Sequence, residues 1–410
     1  MQNQNRRFCW TCPMNQNLDG TDEGHQKSAG GRKIPKTKTE YGRFAKKRNR
    51  WNKEIRTGND SGKVKRRNEI KYQAYDCEAY EVSSIYFGGG TPSSLKAQVI
   101  DDLMNQTREY FHVREDAEIT VECNPGTVDK EKLLLYKMSG VNRISLGLQS
   151  ADNAELRVLG RIHTFEDFLE SYDAARKAGF ENINVDLMSG LLGQTLESYE
   201  KTLKQVVRLK PEHISAYSLI IEKNTPFYEL YGEDDYLRAK GEQPKYLPSE
   251  EEERRMYERT KELLAENGLY RYEISNYAKP GYECRHNIGY WRRENYLGLG
   301  LGASSLFENT RFHNTDVLFD YRKGNFERMD EEVLSRKSQM EEFMFLGLRM
   351  MDGVSREEFK KQFGMEIEGA YAKPLEKLSA EGYLEQKEGR IYFTDRGIDV
   401  STTLLTEFLL

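Results

Sequence analysis

Cysteine is scarce in this chain, and the few copies are scattered. The sequence has 410 residues and five cysteines, an odd number without regular spacing. Such a set does not predict a disulfide framework, and it favours a reducing compartment. The first two form one C-x-x-C pair, which does not predict a zinc site without a second pair. The cysteines are Cys9, Cys12, Cys77, Cys123 and Cys284.

Long apolar runs are missing as well. No stretch of the sequence is apolar over the length that a membrane span requires, and the amino terminus lacks the apolar core of a signal peptide. The length of 410 residues suggests two or three domains with a substantial core. We therefore expect a cytoplasmic protein without a membrane span, and by default we expect an enzyme.

Acidic and apolar residues are both rare near the amino terminus. Residues 1–72 contain 19 Lys and Arg against 7 Asp and Glu, so they carry +12, and the remainder of the chain carries about −17. A segment so poor in apolar residues cannot offset its ordering entropy. We predict that residues 1–74 are a basic segment that is disordered or misassigned. A basic tail can bind nucleic acid, but the acidic remainder predicts no nucleic-acid partner.

What the sequence does contain is a series of apolar runs, each ending in a glycine or polar cluster. Helix-like segments separate these runs, and the alternation predicts a parallel sheet wrapped by helices. The carboxyl ends of such strands share one mouth, where ligands bind. The clusters are Gly88-Gly89-Gly90-Thr91-Pro92, Cys123-Asn124-Pro125-Gly126, Gln149-Ser150 and Met188-Ser189-Gly190.

The repeat of strand and helix predicts an α/β fold, a partial TIM-like (β/α)6 barrel over residues 75–300. The spacing of strand starts, roughly 25 to 35 residues, is typical of β/α units. Thr164 with Asp167 and Ser249 with Glu252 predict capping boxes at two helix starts. The predicted strands are 82–87, 119–123, 143–148, 182–187, 213–219 and 270–274.

Residues 301–410 predict a separate carboxyl-terminal domain. A helix over 331–351, a capped helix start at Ser355, a helix over 370–382 and two short strands suggest a winged-helix-like unit. That architecture often binds DNA, but the segment is rich in Glu and not markedly basic. We therefore interpret it as a packing domain.

Several motifs together resemble one known family. The segments YFGGGTPSSL, VECNPGTVD, NRISLGLQS, NVDLMSGLLGQT and KPEHISAYSLIIEKNTP resemble the oxygen-independent coproporphyrinogen III oxidase family of radical S-adenosylmethionine (SAM) proteins. The later segments ISNYAKPGYECRHNIGYW and NYLGLGLGASS resemble its HemW-type heme chaperone branch. The resemblance covers about residues 75–400. It implies the radical SAM barrel with a HemN-type carboxyl-terminal domain.

The resemblance also implies a SAM site. The glycine motif would contact SAM through backbone groups, Glu122 would accept hydrogen bonds from ribose hydroxyls, and Arg161 would suit a carboxylate. Simpler roles stay open, namely an unliganded glycine turn, a surface or ion-paired Glu122, salt bridges for Arg161 and Asp186, and core packing for Ile220. The matching residues are Gly89, Gly90, Thr91, Glu122, Gln149, Arg161, Asp186 and Ile220.

The main departure from the family concerns its [4Fe-4S] cluster. Family members hold the cluster with a Cys-x3-Cys-x2-Cys loop before the GGGTP motif, and this sequence has no such loop. The ligands are therefore missing, and we name no metal ligand. No residue is recognised as a general acid or base, because the chemistry of this family comes from the cofactor.

The segment from Cys284 to Trp291 resembles the sequence associated with heme in the chaperone branch. A neutral imidazole can bind heme iron, so His286 is a candidate axial ligand. A histidine that is hydrogen-bonded in the barrel mouth without heme is the alternative.

Three functions follow from these observations. The first is a HemW-type chaperone that binds heme and transfers it to apo-hemoproteins, with SAM and a cluster as cofactors. The second is coproporphyrinogen III oxidase, which decarboxylates two propionates of its porphyrinogen substrate. The third is a non-catalytic remnant without the cluster. The sequence leaves the question of enzymatic activity and the oligomeric state open.

Overall fold

The computed structural model of the chain describes residues 69–75, 77 and 80–410. The predictions for Cys9, Cys12 and most of the amino-terminal segment fall on residues outside these ranges. Residues 69–74, which we assigned to that segment, are helical, and Ile70 and Tyr72 are buried. No helix among the described residues has both the length and the apolar character needed to cross a bilayer.

The chain divides into two compact units. The smaller unit contains the described residues up to Tyr80 together with Glu109–Phe111 and Asn295–Val333. The larger unit contains Glu81–Arg108, His112–Glu294 and Leu334–Leu410. The predicted carboxyl-terminal domain of residues 301–410 thus spans parts of both units.

A curled half-barrel sheet of seven strands, all within the described residues, forms the centre of the larger unit. Its order is β1-β2-β3-β4-β5-β7-β6, with β1 to β5 parallel and the last two antiparallel. The predicted partial barrel is therefore confirmed. The strands are β1 Glu81–Phe87, β2 His112–Cys123, β3 Arg143–Gln149, β4 Ile183–Ser189, β5 His213–Ser218, β6 Tyr270–Arg271 and β7 Asn276–Ala278.

The sixth β/α strand was predicted wrongly. Residues 270–274 do not form one parallel strand, because the chain turns after Arg271 and β7 returns against β5. Glu273 closes this turn, since its carboxylate accepts hydrogen bonds from the Ser275 backbone N–H and from the Asn276 side chain. The half-barrel therefore ends in an antiparallel hairpin.

Helices connect the parallel strands and cover one side of the sheet. Thr164 with Asp167 and Ser249 with Glu252 form the predicted capping boxes. The helices that follow the strands are Ala97–Tyr110, Lys130–Met138, Asn153–Val158, Phe165–Lys177, Leu196–Val207, Pro226–Ala239, Glu250–Glu266 and Arg285–Trp291, with a 3-10 turn at Pro92–Ser94.

The two faces of the sheet differ in polarity. Register pairs such as Val121 with Ile144 and Leu146 with Val185 lie on the outer face and are fully buried against the helices. The alternate residues on the same strands are polar and lie on the inner, concave face. Because side chains alternate along a strand, each parallel strand contributes to both faces.

Residues Leu334–Leu410 contain the helix, strand, helix, helix, strand, strand order of a winged-helix-like unit. Their sheet has the order β11-β13-β12, with antiparallel pairs. The predicted architecture is confirmed, although its first helix starts at Arg336 because residues 329–333 form a strand. The elements are Arg336–Gly347, β11 Val354–Ser355, Arg356–Phe363, Glu368–Ala380, β12 Leu384–Lys387, β13 Arg390–Phe393, Asp395–Asp399, Ser401–Leu405 and the 3-10 turn Thr406–Phe408.

The smaller unit has a three-stranded antiparallel sheet of order β10-β9-β8. Cys77, Phe307 and Phe312 form its apolar cluster. Glu69 is buried there and accepts hydrogen bonds from the Gly300 backbone N–H and the Asn314 and Tyr321 side chains. The elements are β8 Ser304–Phe307, β9 Thr310–His313, helix Leu318–Arg322 and β10 Met329–Val333.

Two adjacent leucines test the packing of helix Lys130–Met138. Leu133 is fully buried in the core, whereas Leu134 is 39% exposed. We expect Leu133→Ala to lower the free energy of unfolding by about 2–5 kcal/mol, because it removes buried methyl groups and leaves a cavity. Leu134→Ala should cost less than about 1 kcal/mol. Urea unfolding of both variants measures the difference, and equal losses would contradict the assigned face of this helix.

Candidate functional site

The concave face of the half-barrel carries the candidate site. Its polar side chains occupy alternate positions in every parallel strand, and cross-strand pairs such as Glu122 with Ser145 and Asp186 with Ser215 place them side by side. Glu122, Gln149 and Asp186 were predicted from the sequence, but the other polar residues of this face were not, although the period-two alternation in segments such as ISLGLQ indicates them. The missed residues are Ser84, Tyr86, Glu118, Thr120, Arg143, Ser145, Asn184, His213, Ser215 and Tyr217.

The glycine loop after β1 lies against β2. A Cβ atom on Gly88 would come within 2.7 Å of the Tyr86 ring and 3.0 Å of the Glu122 carboxylate, so only glycine fits there. Gly89 and Gly90 have φ values of 77° and 145°, which L side chains rarely adopt. This loop therefore exposes backbone groups at the mouth.

Hydrogen bonds fix the loop to the neighbouring strand end. The Asn124 amide donates to Thr91 Oγ1 at 3.1 Å, and the Asn124 backbone N–H donates to Ser93 Oγ at 3.1 Å. Lys132 Nζ donates to the carbonyl groups of Ser93 and Thr127. The predicted contact residues Gly89, Gly90 and Thr91 are thus held in place before any ligand binds.

Glu122 lies beside this loop as the penultimate residue of β2. The Tyr86 hydroxyl donates to Glu122 Oε1 at 2.9 Å. Burial, together with the Glu122 carboxylate, raises the pKa of Tyr86 well above its ordinary value, so the phenol stays protonated and donates. A partly buried carboxylate oriented in this way can accept further hydrogen bonds from sugar hydroxyls.

Gln149 ends β3 in an unusual conformation. It is buried and has a φ of 74°, a left-handed value that costs energy for a non-glycine residue. The next residue, Ser150, donates to buried Glu155, which also accepts hydrogen bonds from Gln194 and Ser198. The loops after β3 and β4 are thereby joined through one carboxylate.

Asp186 lies in β4, opposite Gly147 and Ser215. Its carboxylate accepts hydrogen bonds from Asn184 Nδ2 at 2.8 Å and from Ser145 Oγ at 3.2 Å. Burial raises its pKa above the ordinary value, and Asn184 and Ser215 oppose this shift. Asp186 forms no ion pair with any described residue, although the positive charge of Arg143 acts on it and favours its ionised form.

Arg161 and Ile220 lie in later loops. Arg161 follows Gly160 in the segment after helix Asn153–Val158, and its backbone N–H donates to the Leu156 carbonyl. Ile220 follows β5 and is 64% exposed, so the alternative of core packing is wrong. The glycine loop follows β1 and Gln149 ends β3, whereas Glu122 lies one residue before the end of β2 and Asp186 three residues before the end of β4. Arg161 and Ile220 lie in the loops that follow.

The described cysteines do not fit an iron–sulfur cluster. Cys123 is packed in the apolar core on the outer face, and Cys284 is buried at the start of helix Arg285–Trp291. Burial raises the pKa of both thiols to about 12, which disfavours the thiolate form that binds iron. Among the described residues, no group of three or more His, Cys, Asp or Glu side chains could hold a metal ion.

His286 contacts the middle of β1 and β2 rather than the mouth. Its Nδ1 is 3.0 Å from Ser84 Oγ, its Nε2 is 3.1 Å from the Tyr290 hydroxyl, and its ring stacks on Tyr86. Burial lowers the pKa of His286 to about 4, so the imidazole is neutral. Both ring nitrogens are already hydrogen-bonded in this conformation.

Glu118 fixes the helix that carries His286. Its buried carboxylate accepts hydrogen bonds from the backbone N–H groups of Arg285 and His286 and from the Cys284 thiol. A carboxylate at this end of the helix satisfies donors that have no partner within the helix. Burial disfavours the charge of neighbouring Arg143, but the negative charge of Glu118 opposes this effect and helps to raise the pKa of Arg143.

Comparison with family models gives two matches. Residues 8–206 match the radical SAM superfamily, and residues 334–400 match the HemN C-terminal domain. The first range begins before Cys9 and Cys12, although we had predicted that the barrel starts at residue 75.

Several curated proteins are similar to most of the chain. A protein named heme chaperone HemW from Lactococcus lactis is 39% identical over 83% of this chain and 87% of its own length. Its namesakes from Bacillus subtilis and Escherichia coli are 37% and 34% identical over 80% and 83% of this chain and 86% and 87% of their own. The structure of coproporphyrinogen III oxidase (HemN) from Escherichia coli matches with a TM-score of 0.70 and 23% identity over 84% of this chain and 82% of that chain. That structural match shows the shared fold.

The burial of His286 predicts a pH-dependent stability. An unfolded histidine titrates near 6.5 and folded His286 near 4, so the unfolded state binds more protons between these values. This histidine should therefore lower the free energy of unfolding as the pH falls from 6.5 to about 4, by at most about 3 kcal/mol. Urea unfolding of wild type and His286→Gln across this pH range measures how much of the change in the free energy of unfolding comes from His286.

The control is His313→Gln. Although burial opposes the shift, the hydrogen bond to Asp330 raises the pKa of His313. The stability that His313 contributes is therefore lost as the pH rises, not as it falls. The loss of stability at acid pH should persist in the His313→Gln variant. An acid-side slope that is unchanged in His286→Gln would contradict the buried, neutral state of His286.

Proposed function

Because this chain belongs to the HemW family of radical SAM proteins, we propose that it binds heme and transfers it to apo-hemoproteins. The observation that carries the proposal is the similarity to three heme chaperones over at least four-fifths of each chain. The radical SAM barrel and the HemN C-terminal domain support it. Coproporphyrinogen III oxidation is the second candidate, because the chain shares the fold of that enzyme.

SAM would bind at the carboxyl ends of the strands. Gly89, Gly90 and Thr91 would contact it through backbone groups at the open side of the loop, where a Cβ on Gly90 would meet nothing within 4 Å. Glu122 would accept hydrogen bonds from the ribose, and the remaining predicted contacts are Gln149, Arg161, Asp186 and Ile220. In this superfamily SAM supplies radical chemistry together with a [4Fe-4S] cluster, for which the described residues offer no ligands.

His286 can bind heme iron only after one of its hydrogen bonds breaks. The bond from Nε2 to Tyr290 joins residues four apart in the same short helix, whereas Nδ1 contacts Ser84 in β1. A rotation of the Tyr290 side chain would free Nε2 while the contact of Nδ1 with Ser84 is kept. We therefore assign Nε2 as the candidate ligand atom, with Nδ1 keeping the ring oriented through Ser84.

Two substitutions with opposite expected effects test this assignment. His286→Ala should weaken hemin binding by about tenfold or more, because the ligand atom is removed. Tyr290→Phe should tighten hemin binding by about fivefold. In wild type, iron can bind Nε2 only after the hydrogen bond to Tyr290, of about 1 kcal/mol, is broken, and the variant has no such bond to break. Hemin titration followed by the Soret band measures both, with exposed His112→Ala as the control. Wild-type affinity in all three variants would contradict ligation by His286.

The same preparation separates the candidate functions. A chaperone should pass its heme to an apo-hemoprotein such as apomyoglobin, which the absorption spectrum reports. An oxidase should instead convert coproporphyrinogen III under anaerobic, reducing conditions with SAM. Porphyrin product without heme transfer would overturn the chaperone proposal.

Iron–sulfur reconstitution tests the cofactor content. Family membership implies a cluster, but the described cysteines are buried and separated. We expect that any cluster reconstituted anaerobically is unaffected by Cys123→Ser and Cys284→Ser and disappears in Cys9→Ser with Cys12→Ser. Iron and sulfide analysis and electron paramagnetic resonance with and without SAM give the readout. Loss of iron in the Cys284→Ser variant would contradict the structural role of that thiol.

A further inference from the structure

A chain of buried hydrogen bonds lies behind Asp186. Asn184 Nδ2 donates to Asp186 Oδ1 at 2.8 Å, and Asn184 Oδ1 is 2.6 Å from His213 Nδ1. His213 Nε2 is in turn 2.9 Å from the Tyr272 hydroxyl. The chain therefore runs from β4 through β5 to the hairpin that closes the half-barrel.

The chemistry of the partners fixes each donor and acceptor. An ionised carboxylate only accepts, so the Asn184 atom facing Asp186 is the NH2 group, which also donates to Ser145 Oγ at 2.8 Å. Asn184 Oδ1 must then accept, and His213 Nδ1 carries the proton. His213 Nε2 is left to accept from Tyr272. This assignment uses both nitrogens of the histidine in one tautomer.

Because Asn184 and His213 are buried, water cannot replace a hydrogen-bond partner that is lost. Asn184 and His213 are 2% and 0% exposed. Burial also holds the pKa of His213 well below its ordinary value, so the ring is neutral. If the Nδ1 donor were removed, no solvent would replace it, and Ser215 Oγ at 3.1 Å would be the remaining described donor to Asn184 Oδ1, so the amide would be held less firmly. A buried amide with only some of its bonds satisfied is poorly oriented.

The surroundings of Asp186 make its orientation depend on this chain of hydrogen bonds. Its cross-strand neighbours are Gly147, which has no side chain, and Ser215, which has a short one. Neither packs a bulky side chain against the carboxylate, and Ser215 Oγ donates to Asn184 Oδ1 at 3.1 Å, so it belongs to the same hydrogen-bond chain. The bonds from Asn184 and Ser145 are those that aim it along the concave face.

We propose that His213 and Asn184 are positioning residues that hold the Asp186 carboxylate in the geometry needed to bind SAM. This inference rests on the proposed SAM site and adds to it two residues that do not themselves touch the ligand. Supporting groups of this kind orient a binding side chain and change affinity when they are replaced.

Two replacements of His213 separate positioning from packing. The Asn side chain can place an amide N–H near the position of Nδ1, whereas Gln reaches only toward the position of Nε2. His213→Gln should weaken SAM binding by about tenfold or more. His213→Asn should stay within about twofold of wild type. Isothermal titration of the full chain with SAM measures both, and thermal unfolding checks that both variants are folded.

Asn184→Asp gives a readout that a structural role would not change. The new carboxyl group can donate to Asp186 only while it is protonated, so SAM binding should weaken as the pH rises from about 5 to about 8. Wild type should not weaken over this range. The groups coupled electrostatically to Asp186 are Arg143, Tyr86 and Tyr217, and burial keeps the pKa values of both tyrosines high. Equal weakening at every pH would overturn the positioning role.

A measurement without SAM distinguishes failure of this inference from failure of the proposed function. Carboxyl carbon NMR titration reports the pKa of Asp186 directly. If positioning is correct, this pKa should rise in His213→Gln and stay near the wild-type value in His213→Asn, whether or not SAM binds. A wild-type chain that shows this pattern but does not bind SAM overturns the SAM site alone. Identical pKa values and SAM affinities in wild type and His213→Gln overturn the inference.

Discussion

The polar concave face of the half-barrel depends on internal hydrogen bonding, although Arg143 Nε and Thr120 Oγ1 have no hydrogen-bond partner among the described residues. The outer face is stabilised by apolar packing, but on the inner face Glu118, Arg143 and His213 are buried, and Glu122, Asp186 and His286 are partly buried. Such groups are tolerated only when they are paired or hydrogen-bonded. Asp186 with Asn184, Glu118 with the helix at Cys284, and Glu122 with Tyr86 each meet this requirement. The polar network is therefore part of the fold as well as of the candidate site.

This network joins the strand ends to the helix that carries His286. Tyr272 donates to His213 and also accepts a hydrogen bond from the Cys284 backbone N–H at 3.3 Å. The proposed SAM residues and the proposed heme residue thus lie at two ends of one set of buried side chains. A rigid connection of this kind fixes both sites relative to the sheet, because displacement at either end would leave buried groups unpaired.

The sequence predicted the parallel strands well because each ends in a glycine or polar cluster that a turn requires. It also predicted that Glu122, Gln149 and Asp186 lie near strand ends. It did not predict the hairpin, since the run from Tyr270 to Ile274 gives no sign that Glu273 binds Ser275 and Asn276. Nor could it pair Glu118 with the Arg285 backbone, 167 positions away. Alternation reveals which face a side chain occupies, but only the folded chain reveals its partner.

The positions of the described cysteines bear on the radical chemistry of SAM but not on the binding of SAM or heme. The Cys123 side chain packs in the apolar core and the Cys284 thiol donates to Glu118, so both thiols already have structural roles. Binding SAM or heme requires an oriented set of polar groups, and the concave face supplies one. Reducing SAM requires a cluster held by thiolates, and the described residues supply none. The described residues therefore provide the polar groups for ligand binding on the concave face but no ligands for a cluster.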